Sequence, residues 1–281
     1  MKLILGTSNL GQKYGLTNGN FDINNSISVL KRALELGIKV LDTAPGYGKA
    51  ELLIGKVVGS NSDVKVITKI PPKIPFNLSN ILASIEMSQK LCSGAEIYGI
   101  LFHDPKIATI PDFRKIVKDL FNIVNISRIG VSVYDFEEIL QTNKICPEIN
   151  FYQVPENILD QRLINSKFLL ELSEREITFI TRSTFLQGAI LGNEKLLGNK
   201  LPQLEKYIKE FRLFCENINV RPIDVALSYA CSIPWSSGTI VAANSIKQLD
   251  DIMSYTKVDL DFSVIKRPET ALLDPRKWKL K

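Results

Sequence analysis

The chain has 281 residues and a mass of 31.5 kDa, enough for one large α/β domain or two ordinary ones. With 45% hydrophobic and 23% charged residues, it has the composition of a globular protein with a sizeable core, which excludes a disordered chain. Its 35 basic and 30 acidic side chains are dispersed without a block of five like charges, which argues against a nucleic-acid or membrane-surface partner.

The cysteines and the single histidine bear on metal binding and on the cellular compartment. Cys92, Cys146, Cys215 and Cys231 form no CxxC pair, so the usual zinc ligand sets cannot be assembled and no metal is expected. We interpret them as core thiols of a reducing compartment. The first apolar run is too short for a signal peptide, and no apolar segment reaches the roughly 18 residues of a membrane span. The sequence therefore predicts a cytoplasmic protein.

Short apolar runs rich in β-branched residues alternate with segments of helical spacing. The predicted strands are residues 2–8, 39–43, 64–70, 97–103, 127–133, 149–154, 177–183 and 238–243. Helical patterns include residues 26–37, 79–91, 113–124, 201–215 and 245–256. Gly37 is a predicted C-terminal cap of the first helical segment, and Ser245 is a predicted N-cap of the last.

This alternation predicts an α/β protein with a parallel sheet. Eight such units in about 250 residues fit a closed (β/α)8 TIM barrel better than an open doubly wound sheet. No linker or composition break divides the chain, so residues 1–281 are predicted to form one domain, with residues 256–281 as a C-terminal tail. We expect this tail and the long connection at residues 184–201 to help enclose a substrate.

A polar residue lies within one position of the carboxyl end of every predicted strand, and the carboxyl ends of the strands carry the active sites of parallel barrels. These residues are Thr7, Asp42, Lys69, His103, Ser132, Gln153, Arg182 and Asn244. The loop after the second strand adds Tyr47, which lies between two glycines. The sequence thus predicts a site that contains an acid, an ammonium, a phenol and the only imidazole of the chain.

These four groups have a joint chemical use. A phenol has an unperturbed pKa near ~10, and a neighbouring ammonium such as that of Lys69 is expected to lower this pKa, with Asp42 keeping the lysine charged. His103 would donate a hydrogen bond to a substrate carbonyl that receives a proton from Tyr47. Taken singly, each residue also has a structural interpretation: a capping acid, a core aromatic, a solvated charge and a buried imidazole. A Schiff-base aldolase built on Lys69 is a further alternative.

The chain resembles the aldo/keto reductase family over nearly its whole length. The matching segments are LGTSNLGQKYG, GIKVLDTAPGYGKAELLIGK, VITKI, LFHDP, IGVSVYD, QVPENILDQ, TRSTFLQGAILG and GTIVAANSIKQLDDI. The second contains the pattern GxxxxDTAxxYGxxE, the most specific of these matches. The resemblance implies a barrel that binds a nicotinamide dinucleotide without a Gly-rich Rossmann loop. It also implies an NAD(P)H-dependent oxidoreductase that reduces an aldehyde or ketone.

The resemblance assigns catalytic roles residue by residue. Tyr47 is similar to the general acid of the family, Lys69 and Asp42 to the pair that tunes it, and His103 to the residue that orients the carbonyl. The opening segment is similar to that of bacterial members associated with sugar and polysaccharide pathways, which implies a sugar-like carbonyl substrate. A non-catalytic, nicotinamide-binding regulatory barrel is the alternative, because a fold does not guarantee an activity.

The resemblance also implies a cofactor site. Ser132 and Gln153 are similar to the groups that hold the nicotinamide carboxamide, and Arg182 stands where many members stack an aromatic ring on the nicotinamide. A guanidinium can also stack on a flat ring. Val133 stands where many members have Asn. The predicted cofactor-binding residues are Gly6, Thr7, Asp42, Ser132, Gln153, Arg182, Ser183, Phe185, Gln187, Gly188, Ala243, Asn244, Ser245 and Gln248.

The choice between the two nicotinamide dinucleotides depends on the segment after the eighth strand. Asn244 and Ser245 begin a predicted helix, whose N–H groups and dipole favour a phosphate. Lys247 is the only cation there, since positions that often carry Lys or Arg in the family read Ala242, Ala243 and Gln248. We expect NADP to be preferred over NAD by a modest margin, with NAD as the alternative cofactor.

Overall fold

A computed structural model describes residues 2–16, 21–59, 63–192 and 194–278. Eight parallel strands form a closed barrel in chain order, so the predicted (β/α)8 fold is confirmed. The strands are β1 (Lys2–Gly6), β2 (Val40–Asp42), β3 (Lys65–Ile70), β4 (Glu96–Phe102), β5 (Arg128–Ser132), β6 (Phe151–Pro155), β7 (Thr178–Arg182) and β8 (Gly238–Val241). Each predicted strand is present, with its ends displaced by no more than two residues.

Helices surround the barrel and cover its outer face. They are α1 (Ser8–Gly11), α2 (Ile23–Glu35), α3 (Ala50–Val57), α4 (Leu78–Leu91), α5 (Phe113–Ile123), α6 (Phe136–Ile145), α7 (Lys167–Glu174), α8 (Glu194–Lys200), α9 (Pro202–Asn217), α10 (Pro222–Ser232) and α11 (Ile246–Met253). The five predicted helical segments correspond to α2, α4, α5, α9 and α11. Among the residues described, no helix combines the length and apolar character needed to cross a membrane.

Both predicted helix caps are present. Gly37 follows α2 with φ of +85°, a left-handed conformation that glycine adopts without strain. The Ser245 hydroxyl accepts a hydrogen bond from the Gln248 N–H at 3.2 Å and so caps α11. Because α11 begins at the mouth of the barrel, this cap fixes the segment that follows β8.

The strands are buried on both faces and therefore consist of nearly continuous apolar runs. Inside the barrel, alternate strand residues form a compact cluster of Ile4, Ile67, Leu101, Phe151 and Ile180. The larger core lies between strands and helices and includes Cys92, Cys146 and Cys215. All four cysteines are free thiols; Cys92, Cys146 and Cys215 are buried as predicted, whereas Cys231 is only partly buried.

After α11 the chain continues as a tail of extended segments and short 3-10 turns. The turns are Phe262–Val264, Thr270–Leu273 and Pro275–Lys277, and Ile265 and Leu273 anchor the tail in the core. Residues 279–281 of the predicted tail, and residue 193 of the predicted long connection, lie outside the described residues.

Candidate active site

A cleft of about 740 Å³ opens at the carboxyl ends of the strands. Most predicted site residues line it: Gly6, Asp42, Tyr47, Gln153, Arg182, Ser183, Phe185, Gln187, Gly188, Asn244 and Gln248. Six predicted residues are not among its lining residues, namely Thr7, Lys69, His103, Ser132, Ala243 and Ser245. Thr7, Lys69, Ser132 and Ala243 are buried just behind the wall, and His103 lies beside Tyr47.

Strand periodicity explains why these polar groups converge. Successive side chains of a strand point to opposite faces, so a residue two positions after an inward residue also points inward. Lys69, His103, Gln153 and Arg182 each follow a member of the inner apolar cluster by two positions. Asp42 stands in the same relation to Val40, which packs against that cluster. The apolar barrel interior is therefore closed at one end by a layer of polar side chains.

Asp42 and Lys69 form a buried ion pair at the floor of the cleft. The Lys69 ammonium donates to Asp42 Oδ1 at 2.7 Å and to the Thr43 carbonyl at 2.8 Å, and its side chain is 1% exposed. Asp42 Oδ1 also accepts from Gln153 Nε2 at 2.7 Å, while Ser132 Oγ donates to Gln153 Oε1 at 3.3 Å. Burial lowers the pKa of Lys69, and the Asp42 charge opposes that shift. The two charges thus depend on each other.

The loop after β2 places Tyr47 above this pair. The Tyr47 N–H donates to the Ala44 carbonyl at 2.9 Å, and the loop packs so closely on Gly11 that a β-carbon there would lie 1.8 Å from the Tyr47 carbonyl oxygen. The Lys69 ammonium lies 4.9 Å from the centre of the Tyr47 ring. The His103 ring meets the same phenol edge-on, with the ring centres 6.2 Å apart. The four predicted catalytic side chains are therefore brought together.

The pKa of Tyr47 is shifted in the direction opposite to the expectation. Burial raises the pKa of the Tyr47 phenol, the Asp42 charge raises it further, and the Arg182 charge lowers it. The expected lowering by Lys69 does not prevail, because desolvation of the phenolate is the largest effect and Lys69 is already paired with Asp42. In the free protein Tyr47 is thus a neutral phenol, which is the form that donates a proton.

His103 is also neutral. Burial, followed by the nearby Lys69 charge, lowers its pKa to about 4, and the Asp42 charge opposes this shift. A neutral imidazole has one N–H donor and one acceptor nitrogen. Near neutral pH, His103 can therefore donate a hydrogen bond to a ligand without carrying a charge.

Arg182 stands at the end of β7, where sequence comparison suggested a ring-stacking position. Its Nη2 donates to the Val133 carbonyl at 2.9 Å, and its Nη1 donates to Ser183 Oγ at 3.2 Å. Its guanidinium carbon lies 4.3 Å from the centre of the Tyr134 ring, and that of Arg276 lies 3.5 Å from the same centre. Two guanidinium groups from distant parts of the chain thus contact one phenol ring.

The two predicted covering segments behave differently. Residues 184–192 contribute seven lining residues, namely Thr184, Phe185, Gln187, Gly188, Ile190, Leu191 and Gly192. The tail contributes none of the lining residues over the described stretch 256–278. Arg276 of the tail does contact Tyr134, the ring on which Arg182 also stacks, so enclosure of a substrate by the tail stays a prediction.

The N-terminus of α11 forms the other end of the cleft. Asn9 donates to the Asn244 side-chain oxygen at 2.7 Å and to the Ala243 carbonyl at 2.8 Å, and Asn25 donates to the Asn244 carbonyl at 2.8 Å. The Asn244 N–H donates to Gln248 Oε1 at 2.7 Å. These bonds fix the turn between β8 and α11 and use part of the donor capacity of the helix start.

Sequence reasoning missed two cations of the cleft. Arg212 of α9 and Arg221 before α10 both line it. Arg221 forms a bidentate pair with Asp224, with both hydrogen bonds at 2.7 Å. Arg212 donates to the carbonyl oxygens of Ile190 and Gly192. No local pattern marks either residue, because tertiary packing alone brings them to the cleft. Tyr14, also missed, accepts from Gln187 Nε2 at 3.3 Å at the cleft.

Comparison with known proteins identifies the family of the chain. The profile of the aldo/keto reductase family matches residues 2–272. Aldo-keto reductase YhdN of Bacillus subtilis (strain 168) is 26% identical over 202 residues, which is 67% of this chain and 59% of that protein. The chain thus spans less than two thirds of that relative. D-arabinose 1-dehydrogenase of Saccharomyces cerevisiae is 22% identical over 272 residues, covering 88% of this chain and 80% of that protein.

Solved structures share the fold. Aldo-keto reductase AKR11C1 from Bacillus halodurans, in its holo form, superposes with a TM-score of 0.73 at 20% identity, covering 92% of this chain and 88% of that one. At this identity the superposition supports the fold, while the profile match over nearly the whole chain supports the family. The chain belongs to the aldo/keto reductase family.

Proposed function

We propose that the protein reduces an aldehyde or ketone to the alcohol with a reduced nicotinamide dinucleotide as hydride donor. The observation that carries this proposal is the convergence of Asp42, Lys69, Tyr47 and His103 at the floor of one cleft. An acid–base pair, a neutral phenol and a neutral imidazole form a set suited to protonating a carbonyl oxygen.

Each residue has a distinct role in the proposed reaction. The reduced nicotinamide, when bound, supplies the hydride that the carbonyl carbon accepts. His103 donates a hydrogen bond to the carbonyl oxygen and orients it. Tyr47 transfers its phenolic proton to that oxygen as negative charge develops, and the Lys69 ammonium stabilises the phenolate left behind. Asp42 holds Lys69 in its charged form.

The cleft fits a dinucleotide in size and in charge. Its described lining contains four cations, Arg182, Arg212, Arg221 and Lys247, and only two acids, Asp42 and Asp251. This positive excess suits a ligand with several phosphates. Ser132 and Gln153, linked to each other and to Asp42, would hold the carboxamide, and Arg182 would flank the nicotinamide ring.

For the dinucleotide we propose a preference for NADPH of about tenfold, equivalent to about 1.4 kcal/mol. The N-terminus of α11 favours a phosphate, and Lys247 in the first turn of that helix adds positive charge. Lys247 is held by Asp251 at 2.9 Å and is 84% exposed, so its contribution is small.

Cofactor titration tests this preference. NADPH should bind about tenfold more tightly than NADH when each quenches the protein fluorescence. Lys247→Gln should weaken NADPH binding by only a small factor and leave NADH binding unchanged, whereas Lys115→Gln, an equal charge change on α5, should alter neither. Equal affinity for both dinucleotides would contradict a 2′-phosphate site at α11.

The substrate is proposed to be a small, sugar-like carbonyl compound. The name of the yeast relative, D-arabinose 1-dehydrogenase, supports this class, as does the similarity of the opening segment to sugar-pathway members. Incubation of the protein with NADPH and a panel of small aldehydes and aldoses, followed by cofactor absorbance, tests the activity. Cofactor binding without turnover on any carbonyl would favour a regulatory barrel.

A Schiff-base aldolase is disfavoured by the environment of Lys69. Its side chain is 1% exposed, and its ammonium already donates to Asp42 and to the Thr43 carbonyl, which leaves little room for attack on a substrate carbon. Borohydride trapping of a carbonyl compound on Lys69 would support the aldolase and contradict the reductase mechanism.

A further inference from the structure

Arg182 is a cation of the cleft at the end of β7, and within the described residues its contacts leave its charge without a counter-ion. A guanidinium has five N–H donors. Two bonds are formed here, and both acceptors are neutral: the Val133 carbonyl and the Ser183 hydroxyl. The two acids that line the cleft are paired elsewhere, Asp42 with Lys69 at 2.7 Å and Asp251 with Lys247 at 2.9 Å. Arg182 therefore retains both charge and donors for a ligand.

The Arg182 guanidinium is held in position by contacts with an aromatic ring. One contact is the Tyr134 ring, whose centre lies 4.3 Å from the Arg182 guanidinium carbon. The same ring is contacted at 3.5 Å by Arg276, which is itself bound to Asp274 through hydrogen bonds of 2.8 to 3.2 Å. Since a guanidinium stacked on a fixed ring loses little further freedom on binding, Arg182 is arranged as a rigid donor.

Arg182 lies at the catalytic end of the cleft. It follows Ile180 of the barrel interior by two positions and pairs in register with Pro155, two residues after Gln153. Its charge lowers the pKa values of both Tyr47 and His103, which shows that it acts on the reacting groups. By contrast, Arg221 contacts the end of α11 through the Ser254 carbonyl, and Lys247 is on α11.

The positions of these cations assign the cofactor phosphates and a substrate anion to different parts of the cleft. The phosphates of a dinucleotide would be met by the start of α11 and by Lys247 and Arg221, which lie on or contact that helix, whereas the reduced nicotinamide ring beside Arg182 carries no charge. We propose that Arg182 binds an anionic group of the substrate, so that the preferred substrates are aldehydes or ketones that bear a carboxylate or a phosphate. This inference rests on the proposed carbonyl reduction and specifies its substrate class. Arginine pairs with both anions through short, charge-assisted hydrogen bonds.

Paired substrates test the inference. One pair is glyceraldehyde 3-phosphate and glyceraldehyde, and the other is succinic semialdehyde and butanal, so that each pair differs in one anionic group. With NADPH at saturation, the kcat/KM ratio of the anionic to the neutral member should be about tenfold or more in at least one pair. The pair that shows the ratio identifies the anion as a phosphate or a carboxylate. The ratio should fall as salt is added.

Variants connect that ratio to Arg182. Arg182→Gln should bring the ratio to about one, and Arg182→Lys, which retains the charge without the fork of donors, should keep an intermediate value. Arg175→Gln, an equal charge change at the exposed end of α7, should keep the parental ratio. NADPH affinity of each variant is measured by fluorescence titration, and the Lys variant serves if the Gln variant does not fold.

The outcomes separate this inference from the proposed function. Turnover of all four carbonyl compounds with a ratio near one overturns the inference and leaves carbonyl reduction intact. An equal loss for both members of a pair in Arg182→Gln, accompanied by weaker NADPH binding, also overturns it, because Arg182 would then serve the cofactor. Absence of turnover with every aldehyde, including those of the wider panel, overturns the proposed function and this inference together.

Discussion

The ammonium of Lys69 lies 2.7 Å from Oδ1 of Asp42, and the two side chains are only 1% and 6% exposed. Neither charge is exposed enough to be stabilised by water, so each requires the other. Removal of one partner of such a buried pair is costly because the remaining charge has no compensation.

Lys69→Met should therefore destabilise the protein by about 3–5 kcal/mol in urea denaturation, since the Asp42 carboxylate would remain buried. The double variant Asp42→Asn/Lys69→Met should recover a large part of this loss, because a neutral amide replaces the uncompensated carboxylate. If the single and double variants are equally unstable, the buried pair does not control stability at this site.

His103 should act as a neutral hydrogen-bond donor over the ordinary pH range. Its pKa is lowered to about 4, so the imidazole stays neutral above that pH and becomes charged only below it. The kcat/KM for carbonyl reduction should show no titration near pH 6.5, where an unperturbed histidine would titrate. His103→Ala should reduce turnover about 100-fold without weakening cofactor binding, because one donor to the developing oxyanion is lost.

An inflection of the wild-type profile near pH 6.5 that is absent from His103→Ala would contradict this assignment. Initial rates are measured at each pH with freshly prepared NADPH, so that the rates compared are those due to the enzyme. NADPH titrations of the variant show whether the loss concerns binding or turnover.

Glu156 is another buried titratable group, and it is not among the residues that line the cleft. The Tyr229 hydroxyl donates to its Oε1 at 2.5 Å, and its Oε2 has no hydrogen-bond partner within the described part of the chain. Burial raises its pKa well above the usual range, with the Tyr229 hydrogen bond opposing the shift. The folded protein thus holds this proton more tightly than the unfolded chain does.

Stability should consequently fall as pH rises above the unfolded pKa of about 4.3, because the unfolded state loses the Glu156 proton first. The loss is about 1.4 kcal/mol for each pH unit until the folded pKa is reached. The slope of the free energy of unfolding against pH, measured by urea denaturation from pH 5 to 8, should flatten in Glu156→Gln. Glu171→Gln, which changes an exposed residue of α7, should retain the slope. A parental slope in Glu156→Gln would mean that other groups determine it.

The polar layer at the barrel mouth was largely predictable from sequence. In a parallel barrel, all strand ends point to one edge, and the two-residue period turns Asp42, Lys69 and His103 toward the same interior. The order of the strands along the chain is also their order around the barrel, so the neighbours of each group followed directly.

Other parts of the site depend on packing that no local pattern encodes. Arg212 and Arg221 come to the cleft through the placement of α9 and α10, and Arg276 reaches Tyr134 across 142 residues of chain. The raised pKa of Tyr47 was not predicted for a related reason. Its charged neighbours can be identified from the sequence, whereas the degree of burial, which dominates its pKa, emerges only from the folded chain.

The most direct measurement for the proposed mechanism is a comparison of Tyr47→Phe with the parent protein in turnover and in cofactor affinity. Since Tyr47 is the proposed proton donor, the variant should lose about two or more orders of magnitude in kcat for carbonyl reduction. Its NADPH affinity, measured by fluorescence titration, should stay nearly unchanged, because only one hydroxyl is removed. Parental turnover in Tyr47→Phe would contradict the assignment of Tyr47 as the general acid.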